Sequence, residues 1–177
     1  MKLFEKKLNS RTVFDGKILK LQVDEVELPD GKKSVRECVR HSGGAAVLLV
    51  NENKVLLVKQ FRYLYGKAVY EIPAGKLNAR EAPSVAAARE LEEETGYRAD
   101  LKPFLKLYPS PGYTDEVIHI FYAEKFSFVG QRLDDGEFLN CEFVPLDKAA
   151  AMVEGNEICD AKTVAAIYKF LSMKNSL

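Results

Sequence analysis

Four glutamates, Glu90, Glu92, Glu93 and Glu94, fall within five residues of the clearest helical segment in this 177-residue chain. Pro83 suits a first helical turn, Ala86, Ala87 and Ala88 are strong helix formers, and Gly96 suits the position just past a helix end. These signals predict a helix over Pro83–Thr95. Positions 90, 93 and 94 are separated by three and four residues and therefore share one face. Like charges at that spacing repel, and the last turns of a helix already present partial negative charge. Each effect opposes the arrangement by roughly a few tenths of a kcal/mol. Something positive must compensate. For a bare Glu-rich segment the plainer reading is a solvated acidic face, with Arg89 and nearby lysines as partners. The sharper reading is a hard divalent cation, because carboxylate oxygens without His or Cys favour Mg²⁺ or Mn²⁺.

The rest of the chain alternates β and α signals. Residues 1–41 read as an antiparallel β-ribbon, with strands at Arg11–Phe14, Ile18–Leu28 and Ser34–Arg40. Turns fall at Asp15-Gly16 and Pro29-Asp30-Gly31. Two or three strands are marginal alone, so the ribbon is expected to serve a main domain of residues 42–177. In that domain Ala45–Val50 and Val55–Gln60 read as strands around an Asn51-Glu52-Asn53 turn. Val69–Ile72 is a short strand entering Pro73-Ala74-Gly75. Leu101–Tyr108, Val117–Ala123 and Cys141–Val144 are further strands, and Leu146–Val153 and Lys162–Leu171 are amphipathic helices. The element order is mixed, with a helix held between sheet layers.

Composition narrows the function classes. Lys and Arg total 26, matched by 26 Asp and Glu. Zero net charge argues against a nucleic-acid partner or a polybasic membrane surface. The longest apolar stretch, Gly43–Val50, is too short to span a bilayer, and the N-terminus lacks the apolar core of a secretory signal. Cys38, Cys141 and Cys159 are odd in number and far apart, which disfavours a disulfide framework and fits a reducing cytoplasm. His41 and His119 have no partner at metal-binding spacing.

Gly75, five residues, Glu81, seven residues and then Arg89-Glu90-Leu91-Glu92-Glu93-Glu94-Thr95-Gly96-Tyr97 resemble the signature of the Nudix hydrolase family at every specified position. The resemblance implies an α/β fold, the Nudix α/β/α sandwich with a mixed sheet. It also implies roles. The carbonyl of Ala74 and the carboxylates of Glu90 and Glu94 become metal ligands. Glu93 becomes a further metal-binding or catalytic carboxylate. Arg89 pairs with Glu93 and fixes its rotamer, and Glu81 braces the loop. Gly75 is expected to permit a tight turn between strand and helix. Nudix enzymes split a nucleoside diphosphate linked to another group. Divalent ions serve that chemistry by neutralising the phosphates and acidifying water.

Features outside this block resemble the ADP-ribose and nucleoside diphosphate sugar pyrophosphatases within the family. Ser110-Pro111-Gly112-Tyr113-Thr114-Asp115-Glu116 resembles their marker, with Pro111 fifteen residues after Gly96, and implies substrate contacts from Pro111 and Glu116. Arg36, in Arg36–Gly43, matches a substrate-contacting arginine, and Phe14 is expected either near the base or in a core or interface. Arg62, in Gln60-Phe61-Arg62-Tyr63, resembles an arginine on the diphosphate, where its fork suits bidentate recognition. Glu71-Ile72-Pro73-Ala74-Gly75 resembles the lead-in to the block. The catalytic base is expected on the acidic loop Leu133–Phe138, at Glu137 with Asp135 in reserve, and Gly136 supplies freedom to close it. Asp160 is expected to cap the last helix. The subclass implies a homodimer whose ribbon reaches the second subunit. It implies Mg²⁺-dependent (or Mn²⁺-dependent) hydrolysis of ADP-ribose to AMP and ribose 5-phosphate. ADP-glucose or GDP-mannose are the alternative nucleotide-sugar substrates. A catalytically silent nucleotide sensor is a remote alternative, since the carboxylates are intact.

Overall fold

A computed structural model describes residues 3–174, which fall into two compact units. One unit is the segment up to Gly43 together with Tyr108–Val117. Its three strands, β1 (Lys6–Asp15), β2 (Lys20–Glu27) and β3 (Lys33–Arg40), form an antiparallel sheet in that order. The β2–β3 turn closes with the Gly31 N–H on the Leu28 carbonyl at 2.9 Å, and Gly31 sits at φ 82°, where a side chain would strain the backbone. β1 begins five residues earlier than the Arg11 start read from the sequence, because its N-terminal half is polar and lacks alternation. The marker segment is also part of this unit, which sequence distance hid. The Val39 N–H donates to the Tyr113 carbonyl at 2.7 Å, and the Asp115 N–H donates back to the Val39 carbonyl at 3.2 Å.

The other unit spans Gly44–Leu107 and Ile118–Leu177. Its elements are β4 (Gly44–Asn51), β5 (Lys54–Arg62), β6 (Lys67–Glu71), β7 (Ala74–Lys76), α1 (Pro83–Thr95), β8 (Tyr97–Ala99), β9 (Lys102–Leu107), β10 (Ile118–Ala123), β11 (Phe126–Phe128), β12 (Leu139–Pro145), α2 (Leu146–Glu154) and α3 (Ala161–Lys174). The main sheet runs β12-β5-β4-β10-β9, with β6 on β5 and β7 on β4. β4 is parallel to β10 and antiparallel to β5 and β7, so the sheet is mixed.

β4 explains the layering. Its residues alternate faces with period two. Ala45, Val47 and Leu49 pack with Ala86, Ala87 and Leu91 of α1. Ala46, Leu48 and Val50 pack with Leu146, Ala149, Ala166 and Ile167 of α2 and α3. Both faces are therefore covered by helices, which is why the strand reads as an unbroken apolar run. The layers form an α/β/α sandwich. A sheet is held between helices, correcting the expectation of a helix between sheets.

The site is prepared by a fork in this sheet. Glu52 and Asn53 both have positive φ, 44° and 65°, as a tight two-residue hairpin requires. Beyond that turn β4 and β5 pair only at Val50–Val55 and Asn51–Lys54. Further on, β6 takes the free edge of β5 at residues 58–62, and β7 takes the edge of β4 at residues 44–46. Ile72 and Pro73 bridge the fork. Three-residue strands such as β7, β8 and β11 are too short to show alternation, and the sequence reading missed them.

Candidate active site

The short strand β7 and the helix α1 bring the central carboxylates to one piece of backbone. The Ala74 N–H donates to Glu94 Oε2 at 2.9 Å. The Glu90 carboxylate lies directly against Gly75, where a Cβ would sit 1.9–2.2 Å from its carboxyl atoms. Gly75 is thus required for close approach, and it lies within β7 rather than in the tight turn expected of it.

Both carboxylates are poorly compensated by the protein. Burial pushes the Glu94 pKa up to about 8, with the negative charges of Glu90 and Glu137 adding to the rise and the Ala74 N–H and Lys162 opposing it. Burial also raises Glu90, against its hydrogen bond from Arg89, and Glu93 and Glu137 push in the same direction. Two adjacent carboxylates that resist ionisation, both on the backbone at residues 74–75, are short of positive charge. An oxygen-only donor set of this kind fits a hard divalent cation. Among the described residues, no three His, Cys, Asp or Glu side chains already converge as a metal cluster. On the helix face Arg89 bridges two of the carboxylates. Its Nη1 donates to Glu90 Oε1 at 2.7 Å and to Glu93 Oε2 at 2.8 Å.

Arg89 is itself held from behind. Glu81 accepts from its Nε at 3.0 Å and its Nη2 at 3.1 Å, and the Lys76 carbonyl accepts from Nη2 at 3.2 Å. Glu81 also accepts from the Asn78 N–H at 2.9 Å, which closes the loop between β7 and α1. The four helix glutamates thus divide. Glu90 and Glu93 share Arg89, Glu94 is buried, and Glu92 turns away to Arg98 at 2.5 and 2.9 Å. Glu93, paired with Arg89 and with 31% of its side chain exposed against 22% for Glu92, comes nearest to the plain picture of a solvated acidic face.

A second network underlies the fork, and sequence reasoning missed most of it. Arg62 forms a bidentate pair with Glu71, Nε to Oε1 at 2.5 Å and Nη2 to Oε2 at 2.7 Å. Buried Lys162 meets Glu71 at 2.5 Å and Asp160 at 3.1 Å. Burial alone would raise the Glu71 pKa, but Arg62 and Lys162 outweigh it and hold the carboxyl below its ordinary range. Asp160 caps α3 through the Thr163 N–H at 3.0 Å and the Thr163 hydroxyl at 2.6 Å, and that hydroxyl accepts from the Ile72 N–H at 2.8 Å. The start of α3 is thereby tied to the bridge that leads into Ala74. The available signal was Glu71 itself, a charge in the apolar strand Val69–Ile72 that demands a buried cation.

Glu137 and Asp135 are exposed on the loop before β12, and the charge of Glu137 reaches Glu90 and Glu94 electrostatically. Within the loop the Glu137 N–H donates to the Asp134 carbonyl at 3.0 Å. The remaining candidates belong to the ribbon unit. Arg36 is held by Glu5 at 2.5 and 2.9 Å and donates to the Val35 carbonyl and Ser34 hydroxyl. Pro111 lies in an exposed turn, Glu116 stands 3.6 Å from His41 Nδ1, and Phe14 is exposed.

The NUDIX domain matches residues 40–167, and the nucleoside diphosphate sugar hydrolase N-terminal domain matches residues 5–39. A Bacillus subtilis protein named ADP-ribose pyrophosphatase is 46% identical, over 99% of this chain and 96% of its own length. A Bacillus methanolicus protein named methanol dehydrogenase activator is 44% identical, over 99% of this chain and 97% of its own. A crystal structure titled as an ADP compounds hydrolase superposes with a TM-score of 0.84 at 23% identity, covering 97% of this chain and 95% of that one, and shares the fold.

Proposed function

The chain belongs to the Nudix hydrolases, and from that premise we propose that it hydrolyses the pyrophosphate bond of ADP-ribose to AMP and ribose 5-phosphate. The observation that carries the chemistry is the pair of under-compensated carboxylates, Glu90 and Glu94, laid on the backbone of Ala74 and Gly75. The substrate rests on the 46% identity along nearly the whole chain to a protein of that name.

Glu90, Glu94 and the Ala74 carbonyl would hold Mg²⁺ or Mn²⁺. When bound, such ions neutralise the diphosphate and make water more acidic. Arg89, held by Glu81, keeps Glu90 and Glu93 in place. Arg62 keeps one nitrogen of its guanidinium outside the Glu71 fork and offers it to a phosphate oxygen. Glu137, with Asp135 as the nearby substitute, accepts the proton of the attacking water. The water oxygen bonds to phosphorus, the bridging P–O bond breaks, and the second phosphate leaves with that oxygen. Residues 42–177 form the hydrolytic domain. The ribbon of residues 1–41 adds substrate contacts, with Arg36 as its contribution and Pro111 and Glu116 of the docked marker segment beside it. Exposed Leu8, Val13, Phe14 and Val35 give the ribbon apolar surface for a second copy of the chain, and sedimentation showing only monomer at high concentration would contradict that homodimer. Three free cysteines suit a reducing cytoplasm. Among the described residues no helix is long and apolar enough to cross a membrane.

The test is product identification after incubation with ADP-ribose, ADP-glucose and GDP-mannose, with Mg²⁺ and with excess chelator. AMP released fastest from ADP-ribose, and only with metal, is the expected result. Faster cleavage of another nucleotide sugar would keep the chemistry and replace the substrate.

A further inference from the structure

The segment 129–132 is fastened to the C-terminal end of α1. A helix leaves its last carbonyls without partners of its own, and here the strand-free chain after β11 supplies them. The Arg132 N–H donates to the Glu93 carbonyl at 3.0 Å, and the Gln131 side-chain Nε2 donates to the Glu94 carbonyl at 2.5 Å. The Val129 N–H donates to the Gly96 carbonyl at 2.7 Å. Gly96 makes this approach possible. It sits at φ 75°, and a Cβ there would lie 2.6 Å from the Gln131 nitrogen and 2.7 Å from the Gly130 carbonyl carbon. The carbonyls used are those of Glu93 and Glu94, so the clamp grips the turn of helix that presents the buried carboxylate. The next anchor downstream is Leu139, paired with Gln60. Six residues, 133–138, hang between these anchors and include Asp135 and Glu137. Loss of all three bonds would free ten residues, 129–138, whereas loss of the Gln131 bond alone leaves the stretch at six and removes one of the three restraints on its root.

We infer that Gln131 is a positioning residue, which fastens the root of the Glu137 loop to the helix bearing Glu90 and Glu94. The reach of Glu137 to the reacting water is then set by α1 itself. This rests on the reading of Glu137 as the proton acceptor. Gln131 is the only clamp member that acts through a side chain, so substitution can remove its bond and leave the two backbone bonds in place.

The experiment is a double-mutant cycle on the full chain with ADP-ribose and Mg²⁺, using Gln131→Met, Glu137→Gln and the double variant. Met keeps the length of the side chain and removes the amide donor. Gln131→Met should lower kcat about tenfold and leave KM within about twofold, since small misplacements of a reacting group are expensive. Hydrogen exchange in residues 133–138 should quicken while residues 83–92 stay as slow as in the wild type. In the Glu137→Gln background, Gln131→Met should have almost no further effect on kcat. An equal tenfold loss in both backgrounds would overturn the inference, as would unchanged kcat or an effect confined to KM. Near-wild-type turnover of Glu137→Gln would sink the proton-acceptor reading first, and the inference with it, so the single-variant arm tells the two failures apart.

Discussion

Strand β1 has ten residues, nine of them exposed, whereas β4 has eight, seven of them buried. The units that contain them are held together by different forces. In the sandwich unit, apolar layers cover both faces of the sheet. In the ribbon unit, Val26 is the one buried hydrophobic side chain among the described residues, and its buried neighbour is an acid, Asp24. Asp24 accepts from the Ser10 hydroxyl at 2.5 Å, from Lys7 at 3.2 Å and from Arg40 at 2.8 Å. Arg40 continues to Gln22 at 2.9 Å and to Asp115 of the marker segment at 3.2 Å. The ribbon is thus stitched by directed polar bonds around one carboxylate. The sandwich gains stability from area removed from water, which has no direction and needs no specific partner. The carboxylates of the two units differ in the same way. Asp24 has its cations supplied by the chain, and Glu94 does not.

The largest effects should come from the sandwich. Leu48 is fully buried in β4, and Leu48→Ala should cost about 3–5 kcal/mol in chemical denaturation, the range for a buried leucine that leaves a cavity. Glu71→Ala tests whether charge can matter as much inside that apolar unit. It takes from buried Lys162 the nearer of its two carboxylates and leaves Asp160 at 3.1 Å, and removing one partner from such a buried network should cost up to about 3–5 kcal/mol. A loss below about 1 kcal/mol would mean that water reaches Lys162 and that the two units are less different than they look. Divalent ions should act next. Mg²⁺ at a hundredfold excess over its dissociation constant should stabilise the protein by about 2.7 kcal/mol in a thermal melt, and much less in Glu94→Gln. Equal stabilisation of both would remove Glu94 from the metal site.

Much of the sandwich was legible because its signals are local or periodic. Ala45–Val50 shows its double burial as an unbroken apolar run, and Pro83 and Gly96 mark the ends of α1. The carboxylates at 90, 93 and 94 were found because helix spacing alone places them on one face. Their division of labour was not legible. It depends on where Arg89 reaches and on how closely Gly75 approaches, and both follow from β7, a strand too short to announce itself. The network of Glu71 with Lys162 joins residues 91 positions apart, and the clamp of Gln131 on Glu94 joins residues 37 apart. Neither leaves a pattern in the sequence, since tertiary pairing has no period. The ribbon was legible from its turns, but the docking of the marker segment on β3 was not.

The smallest effect belongs to the ribbon and tests the contrast most directly. Asp24→Asn keeps shape and acceptor oxygen while removing the charge, and Lys7 and Arg40 are exposed enough to turn to water. The cost should be about 1–2 kcal/mol, and it should be local. Hydrogen exchange should quicken in residues 6–40 and stay unchanged in residues 44–58. Acid should reproduce the substitution. The Ser10 hydroxyl first, then Lys7 and Arg40, hold the Asp24 carboxyl below its ordinary value of 3.8, against the penalty of its burial. A carboxyl depressed in the folded state stabilises above its unfolded pKa and loses that contribution as pH falls through the folded value. Ribbon protection should therefore persist down to about pH 4 and fall below it in the wild type. In Asp24→Asn it should already be low at neutral pH and respond far less to acid. If instead both proteins lost ribbon protection at the same pH and to the same extent, another carboxylate would be the one that holds this unit, and Asp24 would be only its most visible member.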